Sequence, residues 1–312
     1  MASSPAPLDA RIIGGSVLSI ASAFGLFGNV VLIAVSIKNF STFRRTAFFI
    51  ITWQMLIGDI MVIMPELVVA VPIIFAGYDV HGSSVFSLIM ANLDTVGFMC
   101  NQFFALLLIL NRTVTIFWIY IVARTLFTTL SGCDKVFDSQ FFFFKYDCSK
   151  ALEAAKSINL WSKYESYYIP GVMFVLYIIV LAKVHYDLRF KLGDARHQDR
   201  NKKLRVEKKL LIQSILICGM LQIESLSFAI VRKIKLPSPG HYYLSFLTSL
   251  IVIANSSIHP LVLFIFNTDV RQGLRNFFRK GTPVKHFSAS VQNSGQKKNQ
   301  TQSFKLNSNT NS

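Results

Sequence analysis

Charge is scarce in this 312-residue chain: Asp, Glu, Lys and Arg supply only 15% of it, against 52% apolar residues and a mean hydropathy of +0.46. A single water-soluble core of this size does not use so few charges, and lipid is the better solvent for such a composition. Acidic residues are scarcest, 16 against 32 Lys and Arg, which leaves a formal net charge of +16. A nucleic-acid binder would set that excess on a solvated face of ordinary globular sequence. Here the basic residues fall between long apolar runs, so no nucleic-acid partner is expected. The excess reads instead as the cytoplasmic bias that orients membrane proteins and meets anionic membrane lipids. Missing too are HExxH, GxSxG, a phosphate-binding loop and an intramembrane Asp pair, so neither catalysis nor a cofactor is expected.

Cysteine is rare, with four in the chain and no zinc spacing among them, so no metal is expected. Cys100 and Cys218 lie inside apolar runs, where a free thiol acts as a small hydrophobe. Cys133 and Cys148 flank a polar and aromatic loop. If that loop faces the oxidising side, a bond between them stabilises the fold by about 3 kcal/mol. Met1 to Ala10 lacks the basic start of a signal peptide, and the first apolar run is longer than a signal core, so an uncleaved first span is expected.

What is present is a series of apolar runs. A bilayer core about 30 Å thick takes about 20 helical residues, with every backbone polar group satisfied inside the segment. Ile12 to Ile37 carries no charge, and Ala47 to Ala76 carries only Asp59 and Glu66. Phe86 to Leu130 is a 45-residue stretch interrupted by Asp94, Arg112 and Arg124. Tyr167 to Lys183, Leu210 to Val231 and Tyr242 to Phe266 follow. Charge decides whether the third stretch crosses once or twice. The segments after spans one and five and the tail from Asn267 hold 21 Lys and Arg, whereas the N-terminus and the 131–165 and 232–241 loops hold nine. Two crossings put every basic segment on the cytoplasmic side. The expectation is an all-α, seven-transmembrane helical bundle with its N-terminus outside.

Past Phe266, Val270, Leu274, Phe277 and Phe278 share one helical face and Arg271, Arg275 and Arg279 another, as in a helix lying on the inner leaflet. The expected organisation is an extracellular N-terminus at 1–11, a seven-transmembrane domain at 12–266, an amphipathic helix 8 at 267–280, and a cytoplasmic tail at 281–312 too poor in apolar residues to fold. Sequons at Asn39 and Asn299 fall on the cytoplasmic side and should not be glycosylated.

Seven spans and an amphipathic eighth helix describe G-protein-coupled receptors, and particular residues add to the likeness. These are Gly28-Asn29 in the first span, Gly58-Asp59 in the second, Leu110-Asn111-Arg112 at the end of the third, Glu207 and Gln213 within the EKKLLIQS stretch, and NSSIHPLVLFIFNTDVR in the last span. In order and spacing the set resembles nematode serpentine chemoreceptors of the class x type, within the rhodopsin-like superfamily, over about residues 13 to 280. The resemblance implies a plasma-membrane receptor, in sensory-neuron cilia, that binds a small-molecule ligand and signals to a heterotrimeric G protein. The chain departs from the pattern in several places. His259 replaces the usual Asn before Pro260, Leu263 replaces the Tyr after it, and Ser87 stands where the bridging Cys is usual, leaving Cys133 and Cys148 as a substitute. Only 20 residues separate Arg112 from Cys133, so the third and fourth span region is shortened. Either span four is short and joined by a tight turn at Asn111 to Thr115, or a segment is missing from the sequence.

Ionisable groups inside spans mark cavities or partners. Asp59 with Asn29, Asn255 and Ser256 forms either a sodium-type polar hub that rearranges or a static hydrogen-bond cluster. Asn111 and Arg112 either meet a G protein or, for Arg112, snorkel to lipid phosphate. His259 and Pro260 are the switch candidates. Asp94 holds an amine, lines a generic polar pocket with Asn92 and Gln102, or sits at a solvated helix end. Glu224 with Gln222, and Glu66 beside Pro65, line the same pocket or face headgroups. Phe141 to Phe144 either form a strand-like lid or enter the outer leaflet. A transporter or channel is the rival reading, disfavoured by the lack of an internal repeat; a non-signalling degenerate receptor is the other.

Overall fold

The structure is a computed structural model and describes residues 6–40, 47–82, 84–110, 114–138, 142–149, 151–190, 198–231, 234, 237 and 240–278. Seven long helices form the bundle. Helix α1 is Leu8–Lys38, and α2 is built of three abutting segments, Ala47–Pro65, a π-helical turn Glu66–Ala70, and Val71–Ala76. Helices α3 (Val85–Leu110) and α4 (Val114–Leu130) follow with only residues 111–113 between them. A hairpin of β1 (Asp134–Asp138) and β2 (Phe143–Asp147) leads to α5 (Glu153–Phe190), then α6 (Gln198–Val231), α7 (Gly240–Phe266) and α8 (Thr268–Phe278). The 45-residue stretch thus makes two helices, the second of 17 residues. The chain is a multi-pass membrane protein with a seven-helix bundle and a short fourth helix.

Among the described residues, five of these helices are long and apolar enough to cross a membrane by length and composition. Helix α3, which carries Asn92, Asp94, Asn101 and Gln102, is not among them, and α4 is shorter than those five. The polarity of the molecule runs inside out relative to a water-soluble protein. Ile20, Phe27, Leu126, Val175 and Ile265 point outward, whereas Asn29, Asp59, Asn101, Glu224 and His259 are buried. That is the arrangement lipid demands, because hydrocarbon solvates apolar side chains and strands polar ones.

Between such helices close packing replaces the hydrophobic effect, and glycines permit it. The most extensive interface joins α2 to α3. There a Cβ on Gly97 would lie 2.5 Å from the Gly58 carbonyl oxygen, and one on Gly58 would lie 2.7 Å from Asn101 Oδ1. Gly25 plays the same part between α1 and α7, where a Cβ would meet Ser257 Oγ at 2.2 Å.

Proline shapes the second half of α2. Pro65 withdraws a backbone donor, and the π-helical turn follows it directly, as breaks in a helical ladder commonly do. Glu66, the first residue of that turn, is buried. The last turn of α2 is capped from α1, where Arg11 donates from Nε to the Ile74 carbonyl at 3.1 Å and from its guanidinium to Phe75. Gly77, at φ +75°, completes the cap by donating to Ile73 at 2.8 Å.

Two apolar runs understated their helices. Span five begins at Glu153 rather than Tyr167, and span six at Gln198 rather than Leu210. The added turns of α5 carry Lys156, Lys163 and Glu165, charges that mark a helix projecting past the hydrocarbon rather than a loop. Helix α8 rests Val270 and Leu274 against Leu32 and Val35 of α1, and leaves Phe277 and Phe278 exposed. The tail at 281–312 lies outside the described residues.

The Gly97 contact gives a direct test of helix packing. Gly97→Ala should lower stability by about 1–3 kcal/mol, the usual cost of overpacking, read as a lower Tm of the detergent-solubilised chain. Gly219→Ala, where nothing lies within 4 Å of the added Cβ, should leave Tm unchanged or raise it. Equal melting of both variants would contradict the α2–α3 contact.

Candidate functional site

The hairpin covers one end of the bundle. Its register pairs Lys135 with Tyr146 and Phe137 with Phe144, and these four side chains share the half-buried face while Asp134, Val136, Lys145 and Asp147 alternate outward. Cys133 and Cys148 are joined by a disulfide at its base. Its turn is pinned from below: Phe142, buried and at φ 51°, accepts a hydrogen bond on its carbonyl from Ser249 of α7. The aromatic run at 141–144 therefore forms a strand-like lid, with Phe141 itself outside the described residues.

Beneath the lid is a cavity of about 410 Å³, within the range of small-molecule sites. Its wall brings together Glu66 of α2, Asp94 and Phe98 of α3, Glu224 and Phe228 of α6, and Lys135, Phe144 and Tyr146 of the hairpin. Asp94 is ion-paired with Lys135, whose ammonium also lies 5.5 Å from the Phe144 ring centroid and 5.7 Å from that of Tyr146. Burial alone would lower the Lys135 ammonium. The charges of Asp94, Tyr146 and Glu66 and the hydrogen bond to Asp94 outweigh it and hold the group above its ordinary value, so it stays charged. Nearer the rim, Arg124 of α4 pairs with Glu165 of α5, which also accepts from Tyr120 at 2.8 Å and Trp161 at 2.7 Å.

The two remaining carboxylates differ. Glu224, 1% exposed, accepts from Asn255 of α7 at 2.6 Å. Glu66, 3% exposed, makes no hydrogen bond or ion pair among the described residues, and its Oε2 is sealed from solvent without a donor.

Below the cavity lies a polar junction of three helices. Asp59 of α2, fully buried, accepts from Asn101 of α3 at 2.7 Å on Oδ1 and contacts His259 Nδ1 of α7 at 2.5 Å on Oδ2. Each carboxylate oxygen has its own partner, and one of them is His259, directly before Pro260. Asn29 makes a separate contact, donating to the Gly25 carbonyl at 2.9 Å and the Ser256 carbonyl at 3.1 Å.

The sequence-derived set is thus divided. Glu66, Asp94 and Glu224 converge on the cavity. Asn92 does not line it: it accepts from Thr129 at 2.9 Å and ties α3 to α4. Gln102 donates to the Ser166 carbonyl at 3.4 Å between α3 and α5. Gln222 is half-buried beside Gly171 of α5, away from the wall. The expected Asp59 hub of Asn29, Asn255 and Ser256 separates into three unconnected contacts, because Asn255 turns to Glu224 and Asn29 to backbone. Asn111 and Arg112 lie outside the described residues. Lys135, Tyr146, Asn101 and Arg124 had gone unmarked as site residues. The alternating pattern of 134–138 and 143–147 between two cysteines was the signal that a hairpin could deliver Lys135 inward.

This chain is similar in fold to squid rhodopsin, with a TM-score of 0.71, covering 88% of this chain and 87% of that one at 13% sequence identity. At that identity the likeness is one of fold: the chain has the rhodopsin seven-helix architecture. No family model matches the sequence, and no curated protein matches it.

Removing one member of a buried ion pair strands the other, at about 3–5 kcal/mol. Lys135→Ala and Asp94→Ala should therefore each lower the Tm strongly, and the double variant should recover a large part of the loss. Additive losses in this cycle would show that the two side chains are not coupled.

Proposed function

We propose that the chain is a plasma-membrane G-protein-coupled receptor that binds a small molecule in the cavity under the hairpin and passes the event to a heterotrimeric G protein. The observation that carries this reading is the cavity itself: in a rhodopsin-type bundle, a covered chamber of about 410 Å³ holds buried carboxylates from α2, α3 and α6 and aromatic side chains from the lid. Ligand contact with α3, α6 and α7 together gives a differential grip on their packing, which is what a two-state shift requires. The Asp59, Asn101 and His259 junction joins two of those helices, α3 and α7, to α2 and is the element whose rearrangement relays it, with Pro260 as the flexible point of α7.

In this reading the N-terminus is outside, the basic segments face the cytoplasm, and Asn111 and Arg112 meet the G protein. The chemosensory role, the class x kinship and the sensory-cilium location rest on the Leu110-Asn111-Arg112, EKKLLIQS and His259-Pro260 resemblances. The close succession of α3 and α4 supports a second reading, a receptor-derived chain that reaches the surface without signalling.

The test is ligand-dependent calcium or cAMP output in cells expressing the tagged chain with a promiscuous G protein, challenged with pooled small polar molecules. The receptor reading expects a response that Arg112→Ala cuts at least tenfold at unchanged surface delivery. Normal delivery with silence to every pool contradicts signalling and selects the second reading.

A further inference from the structure

Within the cavity wall, the acidic and basic groups are unequally partnered. Asp94, where an incoming amine would ordinarily be sought on the third helix, is already neutralised by Lys135. Lys145 is held by Asp138 and Arg124 by Glu165. Glu66 is left over: buried, facing the cavity, with an oxygen that has no donor among the described residues. Glu224 lines the same wall with one oxygen engaged by Asn255, and both glutamates lie within electrostatic reach of the Asp94 and Lys135 pair. Two buried carboxyl groups of the wall thus have no basic partner of their own, and the remaining lining cation, Lys163, is exposed. An ionisable group kept in such a place marks a site for a charge of opposite sign.

A second observation says which cation. The neighbouring pocket wall already accommodates a primary ammonium, that of Lys135, between a carboxylate and the faces of Phe144 and Tyr146. The same cavity is lined by the aromatic side chains Phe98 and Phe228 as well as by Glu66 and Glu224. No group of three or more His, Cys, Asp or Glu side chains among the described residues is placed to hold a metal ion, whereas an organic ammonium brings an apolar body that aromatic walls solvate.

We propose that the cavity selects a small organic cation, a protonated primary or secondary amine on an aromatic or aliphatic body, whose ammonium is received by Glu66 with Glu224 in support while Asp94 remains bound to Lys135. This deepens the ligand-site part of the proposed function and is independent of G-protein coupling. Glu66 is then the specificity-determining residue, at the first position of the π-helical turn after Pro65.

The experiment measures the shift in Tm of the detergent-solubilised full chain with 2-phenylethylamine, hexylamine and cyclohexylamine, against the neutral 2-phenylethanol and the anionic 3-phenylpropionate. At least one amine should raise the wild-type Tm in a saturable way at neutral pH, with the alcohol and the acid at least tenfold weaker. Glu66→Gln should abolish the amine shift or weaken its apparent affinity at least tenfold, and the unliganded variant should melt no lower than wild type, since an unpartnered buried carboxyl has been replaced by an amide of nearly the same shape. Glu224→Gln should weaken binding less. The comparison of amine with alcohol needs no variant, so the charge requirement is read even if a substituted chain fails to fold. Absence of any amine shift, an equal shift by the alcohol, or an amine shift untouched by Glu66→Gln overturns the proposal. A shift by the acid alone overturns the cation class while leaving the cavity as a ligand site, and signalling in response to a neutral or acidic molecule would do the same.

Discussion

An ionisable side chain inside a lipid-immersed bundle is costly unless it finds a partner on another element of the same protein, and, Glu66 apart, the buried ionisable groups described above follow that requirement. The penalty for leaving a charge alone in hydrocarbon is at least about 2.5 kcal/mol for a central residue, comparable with much of what one helix gains by packing. Each buried charge therefore acts as a constraint on helix rotation. Asp59 fixes α2 against α3 and α7 through Asn101 and His259. Glu224 fixes α6 against α7 through Asn255, and Glu165 fixes α5 against Arg124 of α4. Once these contacts set the inward faces, the Leu, Ile, Val and Phe side chains on the opposite faces have only lipid to meet.

Asp94 is the case in which the partner does not come from a helix. Its counter-ion is Lys135, carried on a hairpin whose two ends are tied by the Cys133 and Cys148 disulfide. Closing a loop of this size in the unfolded chain removes entropy worth about 3 kcal/mol, and the Ser249 bond to Phe142 and the Thr95 bond to Tyr146 at 2.9 Å seat the hairpin over α7 and α3. The lid and the chamber are thus one construction. The same pair that holds the lid down also removes Asp94 from competition for a ligand's charge, which shifts the recognition burden to Glu66 and Glu224.

Much of the bundle was legible because lipid imposes a simple grammar: about 20 apolar residues per crossing, basic segments on one side, and charge parity that required the 45-residue stretch to cross twice. The ends of α5 and α6 were not legible from hydropathy, since a helix that continues into water carries Lys156, Lys163 and Glu165 like any solvated segment. For the site, the test of asking which ionisable groups lie inside apolar runs picked out Glu66, Asp94 and Glu224, all of which line the cavity. It also gathered Asn92, Gln102 and Gln222, which serve helix contacts, because an amide is cheap enough in the interior to be spent on structure. Lys135 escaped notice for a physical reason: a hairpin pattern can turn it inward, but it reaches Asp94 only after the chain has turned back across 41 positions, and no local signal names that partner. His259 was visible as a departure from the family pattern, whereas its contact with Asp59, 200 positions away, was not.

The account depends on the chain crossing the bilayer an odd number of times, with the hairpin outside and the segment between α5 and α6 inside. Epitope tags placed before Pro5 and within 191–197 measure this directly in cells. The first tag should be stained on intact cells and the second only after permeabilisation. Equal accessibility of the two tags on intact cells would place the cavity and the basic segments on the same side, and the seven-helix receptor account would fail.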